Sequence, residues 1–529
     1  MKNNFRTSDL NNLIIKDKHG RKILNRFFYS RVFVTFLLIA IQIAIFVIFL
    51  VKLNSHSEYY FGSSIGLSAL FMIYLSNSKG KNEFKIAWLV PIVIFPLFGV
   101  AAYIMYHTNM GGLIYKKRFL QLGKIIQSYK NDEKSDLRKL KKYEEVQDLG
   151  NYLLTYGKFT PYEKTKVTYY NSGEVFLPEL LEQLKKAENF IFIEYFIINV
   201  DECWTSILEV LKEKAKKGVT VRVMYDGLGS VTASQSSYQK FLKENGIDSH
   251  IFLPLVPFFS TQLNNRDHRK IVVIDGKTAF TGGINLSNEY FNFGKNKFSY
   301  WKDNAVKVEG AAVKGFTEMF LQTWNLQTKQ EDEYEKYLYA KVKRFDEPGL
   351  VIPYGDNAFN DKDIAEDVYQ YIINASKKYL YITTPYLVID NQLMSDLIFA
   401  AQRGVKVRIA VPAKPDHLLT FCVGKTFQKN LMDYGIEVYE YQKGFIHAKT
   451  FISDGKMATV GSVNLDYRSL YHHFECGCFM YDVPAIKEIE KDFESIVKDS
   501  SLMTKETYKK IPAIRRALGR VFRIFSPLI

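Results

Sequence analysis

One spacing of residues occurs twice in the chain and constrains its fold more than any other feature. The first copy, His-x-Lys-x-x-x-x-Asp, comprises His268, Lys270 and Asp275, and a second copy begins about 180 residues later. Each copy is followed at the same offset by Gly-(Gly/Ser)-x-Asn-Leu. The other residues of the two copies are His447, Lys449 and Asp454, with Gly283 and Asn285 after the first copy and Ser462 and Asn464 after the second. This repetition predicts two similar domains packed about a pseudo-twofold axis.

The residues around each motif predict its local structure. In the second copy a short apolar run of β-prone residues, 450–452, precedes the turn signal Asp454-Gly455. We therefore expect His447 and Lys449 to lie on a strand and to point to the same face. A single pair of this kind is usually solvated surface, and only its repetition argues for a shared site.

The two stretches that contain the motifs repeat the same order of secondary structure. Segments of strand length alternate with segments of helical length, which predicts an α/β fold with a largely parallel sheet covered by helices. The predicted elements are 177–186, 190–198, 207–217 and 218–226 in the first half and 363–378, 379–384, 391–403 and 404–411 in the second. We therefore place the two similar domains at 151–345 and 346–500.

The N-terminal region contains long apolar runs. A basic tail at 1–31 precedes runs at 32–51, 59–75 and 86–106. About twenty apolar residues suffice to cross a bilayer, so 32–106 is predicted to form transmembrane helices. The alternative is a buried helical hairpin in a soluble domain. Basic clusters lie before the first run, between the second and third runs, and after the third run. The positive-inside rule places all of them on the cytoplasmic side, which two membrane crossings allow and three do not. The middle run is the weakest candidate for a full crossing.

The segments that border the two domains are strongly charged. Residues 107–150 predict a helical linker, and 501–529 interleave basic and apolar residues at helical spacing. Such a basic amphipathic helix suits an anionic membrane surface, although a terminal helix docked on its own domain has the same pattern. The net charge of +15, from 71 basic and 56 acidic side chains, favours an anionic partner such as acidic lipid, nucleic acid or a phosphorylated substrate. The alternative is a soluble protein that is merely basic.

Cysteine and histidine patterns give no metal-binding spacing. The four cysteines, Cys203, Cys422, Cys476 and Cys478, form neither a CxxC pair nor a zinc motif, so we expect no disulfide and no metal site. His472 and His473 are adjacent, and neighbours on a strand face opposite ways. A structural or lipid-facing role is therefore favoured for these two histidines over metal binding.

The repeated histidines, lysines and asparagines supply what phosphodiester exchange needs without a metal. One histidine can attack phosphorus, and the other can protonate the leaving alcohol and then deprotonate the incoming one. The side chains expected to bind the non-bridging phosphoryl oxygens are Lys270, Lys449, Asn285 and Asn464. The residues alone leave open which of His268 and His447 is the nucleophile.

These motifs and the apolar N-terminal runs resemble those of the phospholipase D superfamily, and within it the bacterial cardiolipin synthases. The resemblance covers roughly residues 60–529. It implies two phospholipase D-like domains, chemistry without a cofactor, and a nucleophile in the first motif. On this basis His268 is expected to attack and His447 to act as acid and base.

A nucleophilic imidazole needs a carboxylate on its other nitrogen, which fixes the tautomer. Within the second half, Glu475 stands where the superfamily has this group. The matching offset in the first half holds no acid, so Asp303 is the better candidate there, with Glu289 behind it. For Asp275 and Asp454, each of which precedes a glycine, a turn-forming role competes with a catalytic one.

The resemblance implies a membrane phosphatidyltransferase that joins two phosphatidylglycerols into cardiolipin through a phosphohistidine and releases glycerol. The expected partners are phosphatidylglycerol and anionic membrane lipid, not nucleic acid, with the catalytic domains on the cytoplasmic side of a multi-pass protein of the cell membrane. One alternative is a phospholipase D-type phosphodiesterase that hydrolyses phospholipid. A nuclease of the same type, acting on nucleic acid, is a less favoured alternative, because the predicted membrane anchoring argues against it. Another is a non-enzymatic membrane scaffold. The acceptor headgroup and the oligomeric state stay open at this point.

Overall fold

A computed structural model describes residues 57–528 except 108–109, 130–136, 139, 255–263, 295 and 329–331, together with four helical residues at 41, 44, 45 and 48. The predicted basic tail at 1–31 lies outside the described residues. The predicted span at 32–51 also lies outside them, apart from those four positions.

The described part of the N-terminal region is helical. Its helices are α1 (Ser57–Asn77), α2 (Asn82–Ile94), α3 (Pro96–His107), α4 (Met110–Ser128) and α5 (Gln147–Tyr152). The apolar run at 86–106 forms two helices rather than one, because Phe95 before Pro96 leaves the helical conformation (φ −133°, ψ 75°). Over the described residues, no helix has both the length and the apolar character that a membrane crossing requires.

The first half is a seven-stranded sheet covered by helices. In chain order its strands are β1 (Thr165–Tyr170), β2 (Phe190–Tyr195), β3 (Thr220–Asp226), β4 (Ile247–Phe252), β5 (Lys270–Ile274), β6 (Thr278–Gly282) and β8 (Ala305–Gly310), with a separate short strand β7 (Trp301–Lys302). Its helices are α6 (Gly173–Lys186), α7 (Glu202–Lys216), α8 (Ser236–Glu244), α9 (Val313–Gln327) and α10 (Tyr334–Leu338).

The second half repeats this arrangement with one additional strand. Its main sheet contains β9 (Leu350–Asp356), β10 (Tyr379–Thr383), β12 (Lys406–Pro412), β13 (Glu437–Tyr441), β15 (Thr450–Ser453), β16 (Met457–Gly461), β18 (Glu475–Tyr481) and β19 (Ser500–Leu502). The short strands are β11 (Leu387–Val388), β14 (Phe445–Ile446) and β17 (Leu465–Asp466). The helices are α11 (Ile364–Ala375), α12 (Asn391–Gln402), α13 (Leu418–Asp433), α14 (Tyr467–Tyr471), α15 (Ala485–Lys498), α16 (Lys505–Lys510) and α17 (Ala513–Phe522).

The two sheets have the same strand order. The first reads β1-β8-β6-β5-β2-β3-β4, and the second reads β9-β18-β16-β15-β10-β12-β13 before the additional β19. Each predicted helix and strand of the two halves is present, with ends that differ by a few residues. The α/β class and the internal repetition predicted from the sequence are therefore confirmed.

The prediction of a largely parallel sheet is wrong. In the first half β3 runs parallel to both of its neighbours, but the other four pairings are antiparallel. The reason is the turn that ends each motif. Asp275 and Gly276 both have positive φ (53° and 63°), as do Asp454 and Gly455 (53° and 66°). Turns of this handedness join antiparallel strands, so β5 and β15 each enter a hairpin.

The halves are joined by backbone pairing next to the motifs. Strand β7 of the first half pairs with β14 of the second, and the His447 N–H donates to the Lys302 carbonyl at 2.7 Å. In the symmetric position, the His268 N–H donates to the Phe474 carbonyl at 2.8 Å. Each motif histidine is therefore attached to the opposite half. This also corrects the expectation that His447 and Lys449 lie on a strand, because β15 begins only at Thr450.

The C-terminal segment is not one continuous helix. Pro512 separates α16 from α17, and residues 523–528 form a 3₁₀ turn. At Gly519 a Cβ atom would lie 2.2 Å from the Cys422 carbonyl oxygen, so α17 packs closely on α13. Two apolar side chains of this predicted amphipathic segment, Ile514 and Val521, are 69% and 58% exposed. The segment is thus docked on its own domain and still presents apolar side chains to its surroundings.

The loop between α1 and α2 is attached to the second half by a buried ion-pair cluster. The Lys81 ammonium lies 2.6 Å from both carboxylate oxygens of Glu366 and 2.8 Å from Asp390, and it donates to the Tyr471 hydroxyl at 3.0 Å. The two carboxylates are nearly inaccessible, whereas Lys81 is 27% exposed. Phe84 packs edge-on against Tyr471 at 5.7 Å. These contacts fix α1 and α2 to α14.

Replacing Lys81 with alanine should destabilise the protein because the buried carboxyl pair of Glu366 and Asp390 would lose its counter-charge. After allowance for the partial exposure of Lys81, we expect a loss of about 2–3 kcal/mol in the free energy of unfolding. Urea unfolding of the detergent-solubilised protein would measure it. Lys85→Ala is the matched control, since Lys85 makes one long hydrogen bond of 3.4 Å to the Ser76 carbonyl. Equal stabilities of the two variants would contradict the role of the cluster.

Candidate active site

The first motif histidine is held by a carboxylate of the second half. His268 Nδ1 lies 2.8 Å and 3.0 Å from the two carboxylate oxygens of Glu475. Glu475 is completely buried, and its oxygens also accept hydrogen bonds from the Ser462 and Ser469 hydroxyls. Because Nδ1 donates to the carboxylate, the lone pair of the imidazole is placed on Nε2.

The second motif histidine is held in the same way by the first half. His447 Nδ1 lies 2.7 Å from Asp303 Oδ2, and Asp303 Oδ1 accepts the Asn304 N–H at 2.8 Å. Tyr290 and Trp301 face the His447 ring, each with its centroid 5.4 Å from the imidazole centroid. Both histidines are therefore oriented, buried imidazoles.

The carboxylates are the residues that the sequence indicated, but their partners are exchanged. From the sequence, Glu475 is expected to hold the histidine of its own half and Asp303 to hold His268. In the structure Glu475 holds His268 and Asp303 holds His447. The exchange follows from the backbone, since Glu475 and Asp303 come directly after the residues whose carbonyls bind the opposite histidines. Glu289, the second candidate for this role, lies in the wall of the cavity instead.

The motif lysines lie beside the histidines. Lys270 Nζ donates to the His268 carbonyl at 2.6 Å, and Lys449 Nζ donates to the His447 carbonyl and lies 2.8 Å from His447 Nδ1. Both lysines are almost fully buried, at 1% and 2% exposure. The centre therefore holds two ammonium groups and two imidazoles that are almost fully buried.

Both histidines and both asparagines line one cavity of about 700 Å³ between the halves. Asn285 Oδ1 accepts the Ile197 N–H at 3.2 Å, which leaves its amide N–H₂ for another acceptor. Asn464 Oδ1 is buried and has no hydrogen-bond partner among the described residues. The structure thus brings together six of the residues that the motifs single out, namely His268, His447, Lys270, Lys449, Asn285 and Asn464.

The small residues after each motif make room for the orienting carboxylates. A Cβ atom on Gly283 would lie 2.1 Å from Asp303 Oδ1 and 3.1 Å from the His447 carbonyl oxygen. At the equivalent position of the second half, the Ser462 hydroxyl donates to Glu475. The Gly/Ser alternation in the motif therefore reflects two ways of packing a carboxylate.

The motif aspartates lie at the hairpin turns, away from the cavity. Asp275 accepts hydrogen bonds from the backbone N–H groups of residues 188–190 at 2.7–2.8 Å. Asp454 does the same with residues 377–379, also at 2.7–2.8 Å. Of the two roles left open by the sequence, the geometry supports the turn-forming one, because neither carboxylate lines the cavity.

Burial of the centre shifts its titration. Burial lowers the pKa of His268 to about 3 and that of His447 to about 4, so both imidazoles are neutral near pH 7. Burial also lowers the pKa of Lys270 to about 8 and that of Lys449 to about 7. At these pKa values a fraction of the two lysine side chains is uncharged near pH 7. A bound anion would favour the charged form.

A third histidine of the cavity was not identified as a site residue from the sequence. The His473 ring lies 5.5 Å from that of His268, and its Nδ1 is 3.6 Å from Glu475. His268, His473 and Glu475 bring possible metal-ligand atoms within 4.8 Å of one another, and these three side chains could hold a metal ion. A metal there would compete with the hydrogen bond that orients His268. His473 lies in the link before β18 rather than on a strand, which is why alternation along a strand did not predict its direction.

The sequence also did not predict the two aromatic side chains, Tyr290 and Trp301, that face His447. Tyr290 and Trp301 lie outside the repeated motif, and aromatic residues are too common in this chain to single out any one. The signal that could have found Tyr290 is its position in the segment that follows Asn285. The equivalent segment after Asn464 contains Ser469, which holds Glu475.

The lowered pKa values predict how an anion binds. The affinity for sulfate, which stays dianionic, should fall as the pH rises from 6 to 9, because Lys449 and then Lys270 lose their charges. We expect roughly a tenfold loss for each charge. Isothermal titration calorimetry would measure it. The Lys449→Arg side chain stays charged over this range, so that variant should show a smaller fall in affinity. A sulfate affinity that does not change between pH 6 and pH 9 would contradict the pKa shifts.

Replacing Gly283 with alanine should displace the Asp303 carboxylate and misorient His447. Misplacing a catalytic group by about 1 Å costs about 100-fold in turnover, and we expect a loss of that size in phosphodiester cleavage. Gly66→Ala is the control, since a Cβ atom there meets nothing within 4 Å. Unchanged turnover in Gly283→Ala would show that the contact with Asp303 is not needed.

Comparison with known proteins identifies relatives of most of the chain. A family model described as the phospholipase D-like domain of cardiolipin synthase matches residues 180–324 and again 369–497. A second model, described as the N-terminal segment of phospholipase D nucleases, matches residues 66–105. The repeated match covers both motifs.

Individual relatives extend over most of the chain. A protein of Streptococcus mutans with no stated activity is 41% identical over 459 residues, which are 87% of this chain and 99% of that protein. Cardiolipin synthase 2 of Bacillus cereus is 33% identical over 462 residues, 87% of this chain and 89% of that enzyme. The crystal structure of phosphatidylserine synthase from Haemophilus influenzae has the same fold, with a TM-score of 0.54 at 16% identity over 74% of this chain and all of that one.

Proposed function

Because the chain belongs to the phospholipase D-like cardiolipin synthase family, we propose that it transfers a phosphatidyl group from one phosphatidylglycerol to another, forming cardiolipin and glycerol. The observation that carries the proposal is the cavity between the halves. It is lined by two oriented imidazoles, and a buried lysine ammonium group lies beside each of them.

In the first step His268 Nε2 attacks phosphorus and forms a P–N bond, while the P–O bond to the glycerol headgroup breaks. His447 donates the proton that the departing glycerol oxygen takes up. The negative charge of the bound phosphodiester favours this protonated imidazole, whose pKa is low in the empty cavity. Glu475 stabilises the positive charge that develops on His268.

In the second step a hydroxyl of the incoming lipid gives its proton to His447 and attacks phosphorus, and the P–N bond to His268 breaks. Lys270 and Lys449 stabilise the charge on the non-bridging oxygens in both transition states, as preorganised positive groups that are almost fully buried. The amides of Asn285 and Asn464 are placed to donate to the same oxygens. The cycle returns both histidines to their starting states.

A lipid substrate lies in the bilayer, so the proposed function requires the protein to associate with a membrane. Helices α1, α2 and α4 expose large apolar side chains, among them Ile65 at 69%, Ile94 at 60% and Ile114 at 71%. An exposed apolar face of this kind marks a contact with a membrane or a partner. We place these helices and the exposed side of α17 at the membrane surface, with the catalytic halves on the cytoplasmic side.

Lipid product analysis tests the transferase. The purified protein is incubated with phosphatidylglycerol vesicles in the presence of a chelator, and the expected products are cardiolipin and free glycerol. His268→Ala and His447→Ala should each lower the rate at least about 1,000-fold, because each removes a group that reacts with the substrate. His250→Ala is the control, since His250 packs on Trp324 outside the cavity.

The products distinguish the alternatives. Phosphatidic acid in place of cardiolipin would mean that water is the acceptor, and would contradict the transferase in favour of a phospholipase. Cardiolipin formation that persists in His268→Ala and His447→Ala would contradict the assignment of the cavity as the active site.

A further inference from the structure

The two ends of the cavity are related by the pseudo-twofold axis but differ in charge. In each half a short helical segment follows the motif asparagine, the 3₁₀ turn Asn288–Phe291 in the first half and α14 in the second. The residue four positions after the asparagine is Glu289 in the first half and Arg468 in the second. Both line the cavity. Equivalent positions thus carry a carboxylate at one end and a guanidinium at the other.

Glu289 belongs to the His447 end of the cavity. It is followed by Tyr290, whose ring lies 5.4 Å from that of His447. The turn is fixed by two hydrogen bonds of Asn288, one from its N–H to an Asp201 carboxylate oxygen at 2.8 Å and one to its side-chain oxygen from the Cys203 N–H at 2.9 Å. These two hydrogen bonds therefore hold the backbone of the turn that carries Glu289.

Arg468 belongs to the His268 end. Its carbonyl oxygen accepts the N–H of His473, whose ring lies 5.5 Å from that of His268. Among the described residues neither Arg468 nor Glu289 makes a side-chain hydrogen bond, and both side chains are exposed. Each is available to a molecule in the cavity.

The direction of the reaction selects between the two ends. In phosphoryl transfer the attacking and leaving atoms lie roughly in line through phosphorus. When His268 attacks, the headgroup oxygen leaves on the opposite side, next to His447. The incoming hydroxyl arrives from that side too. Glu289 therefore stands where a headgroup is released and where the next one enters.

We infer that Glu289 recognises the glycerol headgroup, its carboxylate oxygens accepting hydrogen bonds from the two hydroxyls of a vicinal diol. The inference rests on the transferase function proposed above and names the headgroup-binding residue of that site. A carboxylate has two acceptor oxygens, which suit a pair of adjacent O–H donors.

Two donor lipids test the inference. Phosphatidylpropanol has the three-carbon headgroup of phosphatidylglycerol without its two hydroxyls, and both lipids are presented in phosphatidylcholine vesicles. Release of the headgroup alcohol is measured for the wild type, Glu289→Ala, Glu289→Gln and Arg468→Ala. We expect the wild type to prefer phosphatidylglycerol by roughly 10–100-fold in kcat/KM, the value of one or two hydrogen bonds to a charged group.

Glu289→Ala should lose most of this preference by slowing only the reaction of phosphatidylglycerol, and Glu289→Gln should keep part of it. Arg468→Ala, the equivalent change in the other half, should keep the full preference. Equal slowing of both lipids in Glu289→Ala, or loss of the preference in Arg468→Ala, would overturn the inference. A wild type that forms no cardiolipin would contradict the proposed transferase, whereas cardiolipin formation with an unchanged preference in Glu289→Ala would contradict only the headgroup site.

Discussion

The crossed hydrogen bonds between each motif histidine and a carboxylate of the opposite half are the interaction on which the rest of the site depends. They join residues that are 207 and 144 positions apart in the sequence. Both carboxylates are completely buried, so each needs a partner to offset the cost of a charge removed from water. The halves meet because each completes the hydrogen bonding of the other, and a single half would contain neither complete dyad.

This arrangement explains several residues that have no contact with a phosphate. Gly283 leaves room for Asp303, and Ser462 and Ser469 hold Glu475. Through α14, which contains Ser469, the Glu475 carboxylate is also linked to the α1–α2 loop, because Lys81 donates to Tyr471 of the same helix. The N-terminal helices are therefore in physical contact with α14, the helix that helps to hold Glu475 against His268.

The sequence predicted the α/β class, the repetition and the central residues of the site, because these depend on local spacing. It did not predict which carboxylate serves which histidine, since that pairing is set by the join between halves and leaves no periodic signal. The prediction of a largely parallel sheet was wrong because the Asp-Gly turn after each motif forms a hairpin, which pairs the motif strand with its neighbour in the antiparallel sense. The sequence also did not predict that His473, Glu289 and Arg468 line one cavity, because that cavity forms only where the two halves meet.

The most direct test of the crossed dyads is mass spectrometry of the covalent phosphatidyl-histidine after an alkaline quench. We expect an adduct on the His268 peptide of the wild type. Glu475→Gln should abolish this adduct, whereas Asp303→Asn should form it more slowly but still detectably, because Asp303 holds His447, the proposed acid and base, rather than the proposed nucleophile. The reverse pattern, with the adduct lost in Asp303→Asn and kept in Glu475→Gln, would contradict the crossing of the carboxylates between the halves.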